Sequence, residues 1–239
     1  EPYVMDTQVS AGANLYREEK EYQYYDKEAK GFTLMMGYTL FDYTKIGTEY
    51  NIENFEITNV QPDYTSMTSG NFLTSNIKPY IVYDSRNHYF IPTEGWRHLF
   101  SVEYAGEVIG GDIDYTKYQL ESSVWFPLFW KFTGGLHAEG GYIDDRTTGK
   151  INMDYMKYYL GGMNSLRGFD TFDIDGTRSG DKQVVGGEKY CQFNAEMTVP
   201  LTEKYQLIGV IFYDRGDVYR VSENIDLADQ FSSAGLGMR

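Results

Sequence analysis

A single cysteine, only six prolines, no long apolar run and a deficit of positive charge set the first limits on this 239-residue chain. Cys191 stands alone, so a disulfide framework and a cysteine-based metal site are both excluded. No stretch approaches the ~18 consecutive apolar residues of a membrane helix, which excludes a helical span. Lysine and arginine number 21 against 35 acidic residues, a formal net charge of −14. Nucleic-acid binding needs a basic patch to meet phosphate, so that class is excluded as well. No signal peptide opens the chain; "EPYVMDTQ" reads as the middle of something, and "SSAGLGMR" stops inside an alternating run. The expectation is a fragment of a longer protein.

Aromatic residues make up 17% of the chain, with 23 tyrosines against 14 phenylalanines and 3 tryptophans. Tyrosine is favoured in strands and at membrane interfaces, where the ring is apolar and the hydroxyl stays wet. Period-2 alternation recurs along the chain. Phe32, Leu34, Met36, Tyr38 and Leu40 share one face against Gly31, Thr33, Gly37 and Thr39. Ile46, Thr48, Tyr50 and Ile52 oppose Lys45, Gly47, Glu49, Asn51 and Glu53; Trp96, Phe100, Val102 and Tyr104 oppose Arg97, Ser101 and Glu103. In "KYCQFNAEMTVP", Cys191, Phe193, Ala195, Met197 and Val199 alternate with Gln192, Asn194, Glu196 and Thr198. The pattern predicts about eleven strands of roughly 9–14 residues and no persuasive helix.

Such density suggests a closed barrel or a sandwich. Soluble strands usually run about 5–6 residues, whereas a tilted membrane strand needs about 9–11. One face carries Glu, Lys, Asn and Gln while the other is apolar and aromatic, the arrangement of a wet interior and a lipid-facing exterior. The fold class expected is all-β, a transmembrane antiparallel β-barrel, with a soluble sandwich as the alternative. Short connections ("FDYTK", "PLTEKY") contrast with longer polar ones ("REEKEYQYYDKEAK", "QPDYTSMTSG" and the stretch after Gly161), matching the periplasmic and extracellular ends of such a barrel.

Four pieces in order, "YDSRNHYFIPTEGW", "GGMNSLRGFD", "GGEKYCQFNAEMTVPL" and "FYDRGDVY" with "SSAGLGMR", resemble the C-terminal barrel of the superfamily that holds the BamA and TamA assembly factors and the two-partner secretion transporters, and most closely its BamA branch. The resemblance covers essentially the whole chain. It implies a sixteen-stranded barrel, of which this chain lacks the first strands and the last, with periplasmic repeat domains upstream. It also implies that the sixth extracellular loop, about 161–186, folds back into the lumen. The loop motif stands here as Leu166, Arg167, Gly168 and Phe169, flanked by Gly161, Gly162, Gly186 and Gly187; leucine replaces the commoner valine or isoleucine. By the same resemblance Arg167 pairs with Glu196 and Asp214 on the inner wall. Independently, Glu196 falls on the polar face of its strand, and one guanidinium can fork to two carboxylates. The alternative is that Arg167 tips a solvated loop.

What the resemblance implies for function is a non-enzymatic insertase that assists folding and insertion of β-barrel proteins into the bacterial outer membrane. Its partners would be unfolded barrel clients, outer-membrane lipid and lipopolysaccharide, and accessory lipoproteins reached through the periplasmic domains; no cofactor is implied. A secretion transporter of the same superfamily, or a passive diffusion porin, are the rival readings. "TFDIDGTRSGDK" hints at a calcium loop, but Lys182 occupies the position of the closing acidic ligand. His88, His98 and His137 show no metal-ligand spacing, and no nucleophile-elbow signature is present. Asp84 and Arg86 read as a strand-end structural pair, and Pro92 to Gly95 as a tight turn.

Overall fold

In a computed structural model, residues 7–22, 25–61, 69–106, 108–147, 154–177, 186–202 and 207–239 are described. They form ten strands: β1 (Val9–Glu21), β2 (Asp26–Phe41), β3 (Thr44–Thr58), β4 (Gly70–Asp84), β5 (Gly95–Gly106), β6 (Gly110–Pro127), β7 (Thr133–Asp145), β8 (Lys189–Thr202), β9 (Leu207–Tyr219) and β10 (Phe231–Met238). A single 3-10 turn, Asp154–Met156, is the one helical element among the described residues. The strands hydrogen-bond in chain order in one sheet. Ten strands replace the eleven that alternation suggests, because several run long; β6 alone takes 18 residues.

The sense of the alternation is inverted relative to a soluble sheet. In β2 the apolar positions Leu34, Met36, Tyr38 and Leu40 are exposed, while Gly31, Thr33 and Thr39 between them are not. In β9, Ile211 and Tyr213 are exposed while Asp214 is fully buried. An aqueous sheet would bury the apolar set, so this one presents its apolar face to an apolar surrounding.

By Cα proximity the chain divides into two units, one of Glu1–Ile81, Ser101–Tyr118 and Ile143–Met156, the other of Val82–Phe100, Gln119–Tyr142 and Lys157–Arg239. In the first, the polar face is a hydrogen-bonded network. Tyr16 donates to Glu53 at 2.7 Å, Lys27 pairs with Glu53 at 2.8 Å, and Thr33 donates to Asn51 at 2.9 Å. Lys27 also lies over the contacting rings of Phe55 and Tyr155, 5.0 and 4.7 Å from their centroids. Tyr115 donates to Glu103.

"REEKEYQYYDKEAK" is not the long loop its charge suggests. Arg17 to Glu21 continue β1 and Asp26 to Lys30 begin β2, with Arg17 paired to Glu28 at 2.8 Å. The register sets like charges directly opposite, Arg17 across from Lys30, Glu19 from Glu28 and Lys20 from Lys27. The diagonal Arg17–Glu28 pair, with the same-strand pairs Lys20–Glu18 and Lys30–Glu28, offsets that repulsion. Residues 62–68 of "QPDYTSMTSG" and 203–205 of "PLTEKY" lie outside the described residues, as does Lys182.

In the second unit, the connection from β4 to β5 is a built loop rather than a tight turn at Pro92 to Gly95. The Ser85 amide donates to the Trp96 carbonyl at 2.9 Å, and the Asn87 side-chain oxygen accepts from Thr93 and Glu94 at 3.0 and 3.2 Å. Asp84 holds Arg86 through Nε at 2.8 Å and Nη2 at 2.6 Å, and the guanidinium lies 5.6 Å from the Trp125 ring. Arg97 pairs with Glu121.

Candidate functional site

Between β7 and β8 the chain leaves the sheet and returns onto its polar face. Tyr158 and Gly187 exchange backbone hydrogen bonds at 2.8 and 3.0 Å, and Leu160 and Ile174 at 2.8 and 3.1 Å. Within this frame Gly162 donates to the Phe169 carbonyl at 3.0 Å, closing a tight excursion from 162 to 169. Gly161 is required where it stands: its φ is +110°, and a Cβ there would lie 2.2 Å from the Asp170 carbonyl oxygen. Gly186 and Gly187 close the other side against Tyr159 and Val218. Leu160, Leu166, Ile174, Tyr190 and Val218 form a buried apolar cluster, with Tyr158 and Phe169 packed against it. Leu166 is fully buried, so it fixes where the next residue must go.

That residue is Arg167. Its Nε and backbone amide donate to Asp214 Oδ2 at 2.6 and 3.1 Å, and Nη2 donates to Oδ1 of the same carboxylate. Nη1 donates to Glu196 Oε1. The guanidinium carbon lies 3.8 Å from the centroid of the Phe212 ring, a cation–π contact from beneath. Asp214 is completely inaccessible and accepts a fourth hydrogen bond from Asn194 at 2.9 Å. Glu196 is partly open, and its second oxygen accepts from Arg239. Gly168 turns the chain away at φ +89°, and Phe169 meets the Phe231 ring edge-on at 5.7 Å.

The geometry explains these neighbours by strand parity. Asn194 and Glu196 alternate on the polar face of β8, as do Phe212 and Asp214 on β9, so Glu196, Asp214 and Phe212 converge on one guanidinium and Asn194 braces Asp214 from the side. Asn194, Phe212, Arg239, Ser165 and Gln192 are contributors that motif reading misses. Asn194 also donates to the Ser165 carbonyl at 3.0 Å, while the Ser165 hydroxyl donates to Gln192 at 2.9 Å. The i±2 spacing around Glu196 and Asp214 was the available signal. Beside the loop, Glu139 on β7 accepts from Tyr190 and from Gln119, the latter at 2.9 Å.

Each hydrogen bond from the Arg167 side chain ends on a carboxylate, and the arrangement ties a loop to two strands. The histidines serve local roles: His88 Nδ1 accepts from the Phe90 and Ile91 amides, His98 meets Ser122, and His137 meets Ser123. Among the described residues no three His, Cys, Asp or Glu side chains are grouped to hold a metal ion; Asp175 instead accepts from the Thr177 amide at 2.8 Å.

The Omp85 superfamily domain matches residues 1–239 in full. The chain belongs to the Omp85 superfamily. It is 25% identical over 244 residues to the outer membrane protein assembly factor BamA of Nitratidesulfovibrio vulgaris, covering 100% of this chain and 30% of that protein. It is 32% identical over 136 residues to the sorting and assembly machinery component 50 homolog A of Xenopus laevis, covering 56% of this chain and 28% of that protein. The crystal structure of BamA from Haemophilus ducreyi lacking POTRA domains 1–3 superposes with a TM-score of 0.82 at 21% identity, over 100% of this chain and 54% of that one. This Omp85 chain therefore spans under a third of the curated relatives' length. Its ten strands are a portion of a transmembrane antiparallel β-barrel, and the exposed apolar face of β2 and β9 is the face turned to lipid.

Proposed function

We propose that the protein containing this chain is an outer-membrane insertase, assisting β-barrel proteins to fold and insert, and that the Arg167 site holds its sixth loop against the inside of the barrel wall. The supporting observation is the loop itself. A passive pore needs no guanidinium buried between two carboxylates, and here one loop residue satisfies Asp214 and Glu196 on two neighbouring strands. The relatives' names, assembly factor and sorting and assembly machinery component, point the same way. In this reading the residues from about 161 to 186 are the inserted sixth extracellular loop, and periplasmic repeat domains precede the barrel. Unfolded barrel proteins are the clients, accessory lipoproteins dock on the periplasmic domains, and outer-membrane lipid with lipopolysaccharide surrounds the wall in a bacterial outer membrane. The chain performs no bond chemistry; it offers a distorted bilayer and strand edges for pairing.

The test uses the full-length protein in liposomes and follows protease protection of an unfolded outer-membrane barrel client. Wild type should accelerate folding and Arg167→Ala should lose most of that acceleration. No acceleration by correctly folded wild type would overturn the insertase reading. Acceleration untouched by the substitution would overturn the role given to Arg167.

A further inference from the structure

The β6–β7 connection is apolar where a water-facing hairpin turn would be polar. Leu128, Phe129 and Trp130 follow one another, exposed by 44%, 65% and 81%, and Lys131 beside them is exposed too. The turn is closed by the Leu128 amide on the Phe132 carbonyl at 2.9 Å and the Phe132 amide on the Phe129 carbonyl at 3.0 Å. Trp130 sits at φ +56°, a left-handed conformation that Gly or Asn adopts with far less strain. A bulky ring held there at the tip, rather than a small polar residue, needs a reason outside the chain. The Phe132 ring supports both aromatics, 5.0 Å from Phe129 and 5.9 Å from Trp130.

The outward face of β6 leads straight into this tip. Leu120 and Phe126 are exposed on the lipid-facing side, and Phe126 lies over Gly134 of β7, where an added Cβ would come within 2.6 Å of the ring. Beyond Phe126 the alternation stops and apolar side chains occupy successive positions. A strand end that is apolar on both faces no longer separates lipid from lumen; it suits immersion at the boundary of headgroups and acyl chains. Tryptophan is enriched at that depth, and lysine reaches from it toward water.

We infer that the Leu128–Phe129–Trp130 tip is a membrane-interface anchor, buried in the lipid leaflet at the end of β7 opposite the loop that carries Arg167. Its partner is phospholipid, engaged by continuity with the apolar wall. The inference rests on the strands crossing a bilayer, and the test keeps the two apart. Full-length protein in phosphatidylcholine vesicles is compared with Trp130→Phe, so that the difference emission belongs to Trp130 alone. A parallel Trp96→Phe difference reports the lipid-facing wall of β5, where Trp96 is half-exposed. Lipids brominated near the headgroup end of their acyl chains should remove most of the Trp130 emission, with little loss to aqueous acrylamide. Acrylamide quenching of Trp130 while Trp96 responds to the brominated lipid would overturn the anchor and leave the barrel standing; the tip would then face water or a protein. Failure of both to respond to brominated lipid would overturn the anchor together with the lipid-facing wall.

Discussion

Replacing Arg167 by alanine removes the two side-chain hydrogen bonds to Asp214, from Nε and Nη2, and the Nη1 bond to Glu196, while the backbone amide of residue 167 remains. Asp214 is left fully buried with two neutral donors, Asn194 and the backbone amide of residue 167, and no countercharge from the loop. Breaking a buried ion pair from one side costs about 3–5 kcal/mol, because the stranded charge can neither ionise comfortably nor reach water. At ~1.4 kcal/mol per tenfold, the population of the loop withdrawn from the wall should rise by about 10²–10⁴. Limited proteolysis of the full-length protein in vesicles reads this out. A protease without arginine preference is required, since the substitution deletes a tryptic site. At low protease, cleavage tracks the open population when reclosing is fast. Asp214→Asn should exceed Glu196→Gln, because the Glu196 side chain is 23% exposed while Asp214 is sealed at 0%. Arg167→Ala in an Asp214→Ala background should cost far less than in wild type. A change below about threefold, or strict additivity of the pair, would refute the view that a dry guanidinium–carboxylate contact holds the loop.

Leu166→Ala empties a fully buried position in the apolar cluster and should raise loop cleavage by an amount equivalent to about 2–5 kcal/mol; amide hydrogen exchange at Leu160 and Ile174 checks it. Gly168→Ala should cost about 1–2 kcal/mol of backbone strain, since an added Cβ meets only Ser233 at 3.5 Å. Gly161→Ala should cost clearly more, because its Cβ would sit 2.2 Å from the Asp170 carbonyl oxygen; equal cleavage rates for the two variants would contradict this ordering. Tyr190→Phe leaves Glu139 with Gln119, a longer contact from Gln192 at 3.5 Å and His137 at 3.6 Å, and should lower stability by about 1.5–3 kcal/mol, measured by urea unfolding from vesicles.

The barrel was legible because two different solvents write two different patterns on alternate residues. Leu34, Met36, Tyr38 and Leu40 reveal a strand face whatever covers them; that the face is lipid-turned came from strand length and from the polar content of the opposite side. The charged run from Arg17 to Lys30 misled for the opposite reason: polarity signals a loop only when the charges find no partners in the extended chain, and here Glu28 takes Arg17 diagonally and Lys30 along its own strand. Register also hides the aromatic seats. Tyr16 stands opposite Gly31, Tyr190 opposite Gly141 and Phe212 opposite Gly235, each ring lying where a Cβ on the glycine would come within 2.6 Å of it. Nothing local marks those glycines as partners of rings far away in sequence. For the site, Arg167, Glu196 and Asp214 were nameable from motif resemblance and strand parity, whereas Arg239 on Glu196 and Ser165 on Gln192 exist only once the loop is docked.

Tyrosine abundance has a second cause beyond the lipid interface. On the polar wall Glu53 takes the Tyr16 hydroxyl, Glu103 the Tyr115 hydroxyl and Glu139 the Tyr190 hydroxyl. A phenol donates without adding charge, so a wall rich in carboxylates is satisfied strand by strand. For Tyr16 and Tyr190 the same ring also covers a glycine opposite, so a one-residue slip would lose the seat and the acceptor together. Asp214 departs from this scheme. Its strand-borne donor is Asn194, and among the described residues the other hydrogen bonds to its two oxygens come from Arg167. The sheet therefore leaves its most deeply buried carboxylate short of donors unless the loop is in place. Docking and wall satisfaction become one event, which is why perturbing either partner should be felt in the position of the loop and in the packing of β8 against β9.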